Sequence, residues 1–151
     1  MSEGVPSPYD IEVVWEGGMR YRGGPAGGPT LVVDGDREAA PSPVDALVVA
    51  LASCSAIDVV EILRKRRTSP TALRVRVEFS RASDPPRRLT EARLHFTVET
   101  ASDRSHVERA VALSFEKYCS VANSLRPEIR LFSEVVLEPS GDAAAAAGSG
   151  G

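Results

Sequence analysis

A chain of 151 residues with 42% hydrophobic and 26% charged side chains has the length and composition of one globular domain with one sizeable core. Its 18 Lys and Arg stand against 21 Asp and Glu, a net charge of −3, which excludes a general nucleic-acid binder because such a protein needs a basic excess. Met1-Ser2-Glu3-Gly4-Val5-Pro6 has neither a basic nor an apolar region, so no secretory leader is expected and the expected location is the cytoplasm.

The predicted elements begin with strands. Tyr9–Glu16 alternates through Ile11, Val13 and Trp15, and Thr30–Val33 is β-branched apart from Leu31. Between them, Gly23-Gly24-Pro25-Ala26-Gly27-Gly28-Pro29 reads as a connecting loop, and without Walker spacing it is no phosphate loop. Ser42-Pro43-Val44-Asp45 is a helix start: Ser42 caps, Pro43 fits the first helical position, and Asp45 completes a capping box. A long helix is predicted from Leu47 to about Arg66, with its nearly all-apolar N-terminal half buried. The longest nearly apolar stretch, Ala46 to Ile57, is shorter than the roughly 20 residues that span a bilayer, so no membrane span is expected. Arg64-Lys65-Arg66-Arg67 reads as a solvated helix end complementing the helix dipole, in preference to an anion site.

Two clear strands come next. Leu73, Val75, Val77 and Phe79 alternate with polar residues, as do Ala92, Leu94, Phe96 and Val98, and Asp84-Pro85-Pro86 punctuates the hairpin-like connection between them. Ser105-His106-Val107-Glu108 reads as a second capping box, opening a helix that carries Val107, Ala110, Val111, Phe115 and Tyr118 on one stripe and stops near Cys119. A short helix over Ser120–Arg126 and a last strand over Ile129–Leu137 complete the order βββ-α-ββ-α-β. The expected fold is α+β, a long helix packed on an antiparallel sheet, with residues 1–138 as one domain. The Ala/Gly-rich tail, residues 139–151, has no apolar face and reads as disordered. Trp15 and Tyr118 read as core aromatics, and Glu116 as a solvated side chain.

Only two cysteines occur, Cys54 and Cys119. On composition alone, Cys54 inside the most apolar helix is a buried, inert core residue. Cys119 falls where one helix ends and another begins, a place that favours a thiolate. A metal site with His95 and His106 is not expected, because none of the four residues is paired at zinc-ligand spacing. An almost wholly apolar helix segment in so short a chain predicts further burial through dimerisation.

Pro41-Ser42-Pro43-Val44-Asp45-Ala46-Leu47, the run from Ala50 to Val60 through Cys54, and Leu113 to Val121 through Cys119 resemble the two cysteine helices of the OsmC/Ohr family of osmotically inducible and organic-hydroperoxide-resistance proteins. The resemblance covers residues 9 to 137, and the motifs look most like an OsmC-like branch outside the Ohr group. It implies antiparallel sheets with a long central cysteine-bearing helix and a second cysteine-bearing helix, in an interwoven homodimer. It further implies a thiol peroxidase for organic hydroperoxides, with no cofactor. Carried over by position, Cys54 is the peroxidatic thiolate, Cys119 resolves its sulfenic acid as a disulfide, and a dithiol reductant of lipoyl type restores the pair. The family supports the thiolate with an arginine from the N-terminal strands and a glutamate just after the helix-start proline. Here Val44 stands at the glutamate position, leaving Arg20 and Asp45 as the candidate activating residues. That departure motivates an alternative, a non-catalytic OsmC-like protein that binds a small apolar or thiol-bearing ligand.

Overall fold

A computed structural model describes residues 9–139 of the chain. The expectation of a disordered tail lies outside the described residues from 140 onward. The elements are β1 (Ile11–Gly17), β2 (Arg20–Pro25), β3 (Leu31–Asp34), α1 (Pro43–Lys65), β4 (Ala72–Arg81), β5 (Leu89–Glu99), α2 (Arg104–Leu113), a π-helical turn (Ser114–Tyr118), α3 (Ser120–Ser124) and β6 (Arg130–Glu138). They group into two compact units that divide within α1, one ending at Val48 and one beginning at Val49.

The first unit is an antiparallel three-stranded sheet in the order β1-β2-β3. Gly17 and Gly18 close the β1–β2 hairpin with φ of +108° and +56°, a region that costs glycine nothing. The glycine-rich segment predicted as a loop starts three residues too early, because Gly23 to Pro25 continue β2 and pair with Val13 to Ile11. Glycine is required at position 24, where a Cβ would overlap the Pro29 carbonyl as the chain turns back. Alternation places Ile11, Val13, Trp15, Tyr21 and Leu31 on one face, and all five are exposed. Trp15 is therefore not a core aromatic; its indole N–H donates to the Gly18 carbonyl at 2.9 Å. Beyond β3, the Asp34 carboxylate accepts the backbone N–H groups of Asp36 and Ala39, both at 2.9 Å. These bonds turn the chain toward the helix start, where the capping box forms: Ser42 Oγ accepts the Asp45 N–H at 3.1 Å, and Asp45 Oδ2 accepts the Ser42 N–H at 3.0 Å.

At 23 residues, α1 is longer than its apolar sequence stretch and is long and apolar enough to cross a membrane by length and composition. In the second unit one stripe of it enters the core through Leu51, Val59 and Leu63, while Val49, Ile57 and Val60 are exposed. The N-terminal half is thus buried on one face only, a correction to the all-round burial expected. The sheet has the order β4-β5-β6, with β4 antiparallel and β6 parallel to β5. The second sheet is therefore mixed rather than antiparallel throughout. A parallel neighbour needs a long crossover, and α2, the π turn and α3 supply it.

Central β5 sends Ala92, Leu94, Phe96 and Val98 inward, all fully buried, against α1 and the Val107, Ala110 and Val111 stripe of α2. Burying each of the larger side chains contributes about 1.5–3 kcal/mol, so this row anchors the unit. On the opposite face of β5, His95 lies between Glu78 of β4 and Glu134 of β6, each at 3.0 Å. α2 starts two residues earlier than predicted. Asp103 holds the N-cap position without a side-chain cap bond, so the predicted Ser105–Glu108 box does not form.

Candidate functional site

Both cysteines belong to the second unit, and both are free thiols. Cys54 is half-buried on α1, whereas Cys119 is fully buried. The local backbone explains where Cys119 stands. After Leu113 the helix widens into the π turn, closed by the Cys119 N–H donating to the Ser114 carbonyl at 2.7 Å. Such a turn inserts one extra residue relative to a continued α-helix, which re-aims the side chains beyond it, and it is common at functional sites. Cys119 then leaves helical geometry, with φ −73° and ψ 105°, and becomes the N-cap of α3, its Sγ accepting the Ala122 N–H at 3.3 Å. Asn123 Nδ2 donates to the Cys119 carbonyl at 2.8 Å and completes the clamp.

The result is that two thiols far apart in sequence come close enough for Cys54 to act on the titration of Cys119. Burial pushes the Cys119 thiol above its ordinary range; the Ala122 N–H pulls it back in part, and the adjacent Cys54 pushes it up again. Cys119 is held as a neutral, sheltered thiol beside a more accessible one.

Two anchors fix the π turn. The Phe115 ring meets fully buried Phe96 of β5 edge-on, with centroids 6.5 Å apart at 72°. Ser114, also fully buried, directs its hydroxyl to Asp58 Oδ2 at 2.8 Å and lies 3.0 Å from Ser55 Oγ. Sequence reasoning missed Ser55, Asp58 and Ser114, since no spacing pattern marks three polar residues that meet only through tertiary packing. A polar Ser55 within an apolar helix run was the one available signal.

The remaining predicted residues lie elsewhere. Asp45 is committed to Ser42 and to Arg37, whose Nε donates to Asp45 Oδ2 at 2.7 Å. The Arg37 hydrogen bond is the main cause that holds the Asp45 carboxyl down at about 2. Arg20 pairs in register with Asp34 across β2 and β3. Its charge adds a little to the depression of the Asp34 carboxyl, which the Ala39 and Asp36 N–H groups dominate. Tyr118 is half-exposed rather than core, while Glu116 is solvated as expected. His106 Nε2 lies 2.7 Å from Arg66 Nη2.

Comparison with known proteins gives this geometry its context. A family model described as OsmC-like protein matches residues 34–133. Protein YhfA of Escherichia coli strain K12 is 40% identical over 122 residues, which cover 79% of this chain and 90% of that protein. Among solved structures, an OsmC-like protein from Mycoplasma pneumoniae superimposes with a TM-score of 0.75 at 18% identity, covering 88% of this chain and 99% of that one. An organic hydroperoxide resistance protein OsmC from Legionella pneumophila gives a TM-score of 0.64 at 17% identity, covering 87% and 98%. At these identities the two structures speak for the fold, and the match to the family model and to YhfA speaks for descent. The chain belongs to the OsmC-like protein family.

Proposed function

We propose that this protein is a thiol-dependent peroxidase that reduces organic hydroperoxides. One observation carries the reading: the half-buried Cys54 packs against the core cluster that holds a fully buried, neutral Cys119, close enough to push that thiol up. An attacking sulfur must be reachable by the peroxide, whereas a resolving sulfur works best when it is held next to it and kept from reacting by itself. The Cys54 thiolate attacks the terminal oxygen of ROOH, the O–O bond breaks, and the alkoxide takes a proton to leave as ROH. The resulting Cys54 sulfenic acid is attacked by Cys119, which loses its proton. Water departs and the Cys54–Cys119 disulfide remains. A dithiol of lipoyl type then reduces the disulfide by exchange, itself becoming a cyclic disulfide. A reduced thiol pair suits a cytoplasmic location.

The functional unit in this reading is a homodimer. Supporting it, the apolar face of the first sheet exposes Ile11 by 60%, Val13 by 62% and Trp15 by 63%. This face forms a groove of about 500 Å³ lined by Ile11, Val13, Gly23, Pro25, Leu31 and Val33. A contiguous exposed apolar surface of this kind marks an interaction site.

The test is the intact mass of the reduced protein after one equivalent of cumene hydroperoxide, with a free-thiol count. Loss of about two mass units with both thiols gone is expected, and Cys54→Ser should abolish hydroperoxide consumption. An unchanged mass with two free thiols would refute the peroxidase reading and turn attention to ligand binding.

A further inference from the structure

Ser114 links the turn that sets Cys119 to the helix that carries Cys54. Its carbonyl accepts the Cys119 N–H at 2.7 Å, and so holds the π turn that sets the buried cysteine. Its hydroxyl reaches α1 at Asp58, 2.8 Å away, and at Ser55, 3.0 Å away. A hydroxyl has one proton, and a carboxylate acceptor makes the stronger bond. The Ser114 proton therefore goes to Asp58, and the Ser55 hydroxyl supplies its own proton to the Ser114 oxygen. Asp58 is four residues after Cys54, on the same face of α1, and Ser55 is the chain neighbour of Cys54. Ser114 and Ser55 are fully buried, so water cannot replace either bond without opening the core.

We propose that Asp58 and Ser114 are positioning residues for the resolving step, holding the Cys119 thiol against Cys54 by locking the π turn to α1. The inference rests on the peroxidase reading for its chemistry. Neither side chain touches the peroxide. Their loss leaves the Cys54 attack in place and slows the step in which Cys119 displaces hydroxide from the sulfenic acid. A slower second step gives excess hydroperoxide time to oxidise the Cys54 sulfenic acid to sulfinic acid, with a second ROOH reduced to ROH.

The experiment compares the wild-type protein with Ser114→Ala and Asp58→Asn in two assays. In the first, reduced protein meets excess cumene hydroperoxide with and without dimedone, and intact mass resolves disulfide, dimedone adduct and sulfinic acid. Expected is a rise of about tenfold in the ratio of trapped plus over-oxidised protein to disulfide, with the rate of Cys54 thiol loss within about twofold of wild type. In the second, the dithiol–disulfide equilibrium is measured against glutathione, without peroxide. Here the variants should shift toward the dithiol by about tenfold, equivalent to about 1.4 kcal/mol. Circular dichroism shows whether each variant is folded, and the weaker amide acceptor in Asp58→Asn should give an intermediate effect if Ser114→Ala unfolds. Variants that match wild type in both assays overturn the proposal. A wild-type protein inert to hydroperoxide, whose variants nevertheless shift in the glutathione assay, would refute the peroxidase function while leaving the positioning role in place.

Discussion

The Phe96–Phe115 contact links the core of the second unit to the turn that sets Cys119, and its contribution is measurable. Replacing Phe96 with Leu keeps an apolar side chain at a fully buried position but removes the ring that Phe115 meets edge-on at 6.5 Å and 72°. The lost aromatic pairing is worth about 0.5–1.5 kcal/mol. The space left at the ring edge costs roughly one further methylene, about 0.8 kcal/mol. Together these give about 1.3–2.3 kcal/mol, a sizeable share of the roughly 5–15 kcal/mol typical of a domain. Urea denaturation of wild type, Phe96→Leu, Phe115→Leu and the double variant, at one fixed protein concentration, closes a double-mutant cycle. The expected coupling energy is about 0.5–1.5 kcal/mol. Independent, additive effects would mean that the two rings do not support each other, and the anchoring role assigned to Phe115 would fall.

Three other perturbations have defined outcomes. The Asp45 carboxyl is held at about 2 against an ordinary 3.8, chiefly by Arg37, so its stabilising effect is complete above pH ~4 and lost as pH falls from there toward 2. Acid titration of stability should therefore be flatter in Asp45→Asn over that window, and identical curves would rule the pairing out. In Cys54→Ser, burial still pushes the Cys119 thiol up, so its alkylation rate should still be rising above pH ~9, later than for an ordinary thiol. A plateau below pH ~8 would contradict a neutral, sheltered sulfur. Val13→Glu places a charge in the middle of the exposed apolar face, and light scattering should report a shift from dimer to monomer. An unaltered dimer would move the interface off that face.

The parts of the fold written in local pattern were legible. The capping box at Ser42 and Asp45, the alternation of β4 and β5, and the helix break at Cys119 each arise from a few neighbouring residues. Helix α1 was harder, because a run apolar on every face does not say which face meets the core; packing selected Leu51, Val59 and Leu63. The continuation of β2 through Gly23 to Pro25 was hidden by residues that ordinarily signal turns, yet the close approach of Pro29 demands glycine there. Parallel pairing of β6 depends on where a long crossover lands, which alternation does not encode. At the candidate site, both cysteines were named from the sequence, but the proximity of their thiols and the Asp58–Ser114–Ser55 network exist only once α1 and the π turn have packed.

The mixed sheet has a consequence for synthesis of the chain. Antiparallel β4 emerges from the ribosome shortly before β5 and pairs with it at once, but the other edge of β5 waits for β6, about 30 residues later. Until then, Leu94, Phe96 and Val98 belong to a strand with one row of unpaired N–H and C=O groups, a template for pairing with another nascent chain. Cys54 has already left the exit tunnel when this interval begins, and Cys119 leaves it before the interval ends. Treated with a bis-maleimide, ribosome-bound chains exposed only as far as Arg130 should accordingly cross-link between neighbours through these thiols, and those exposed past Glu138 should not.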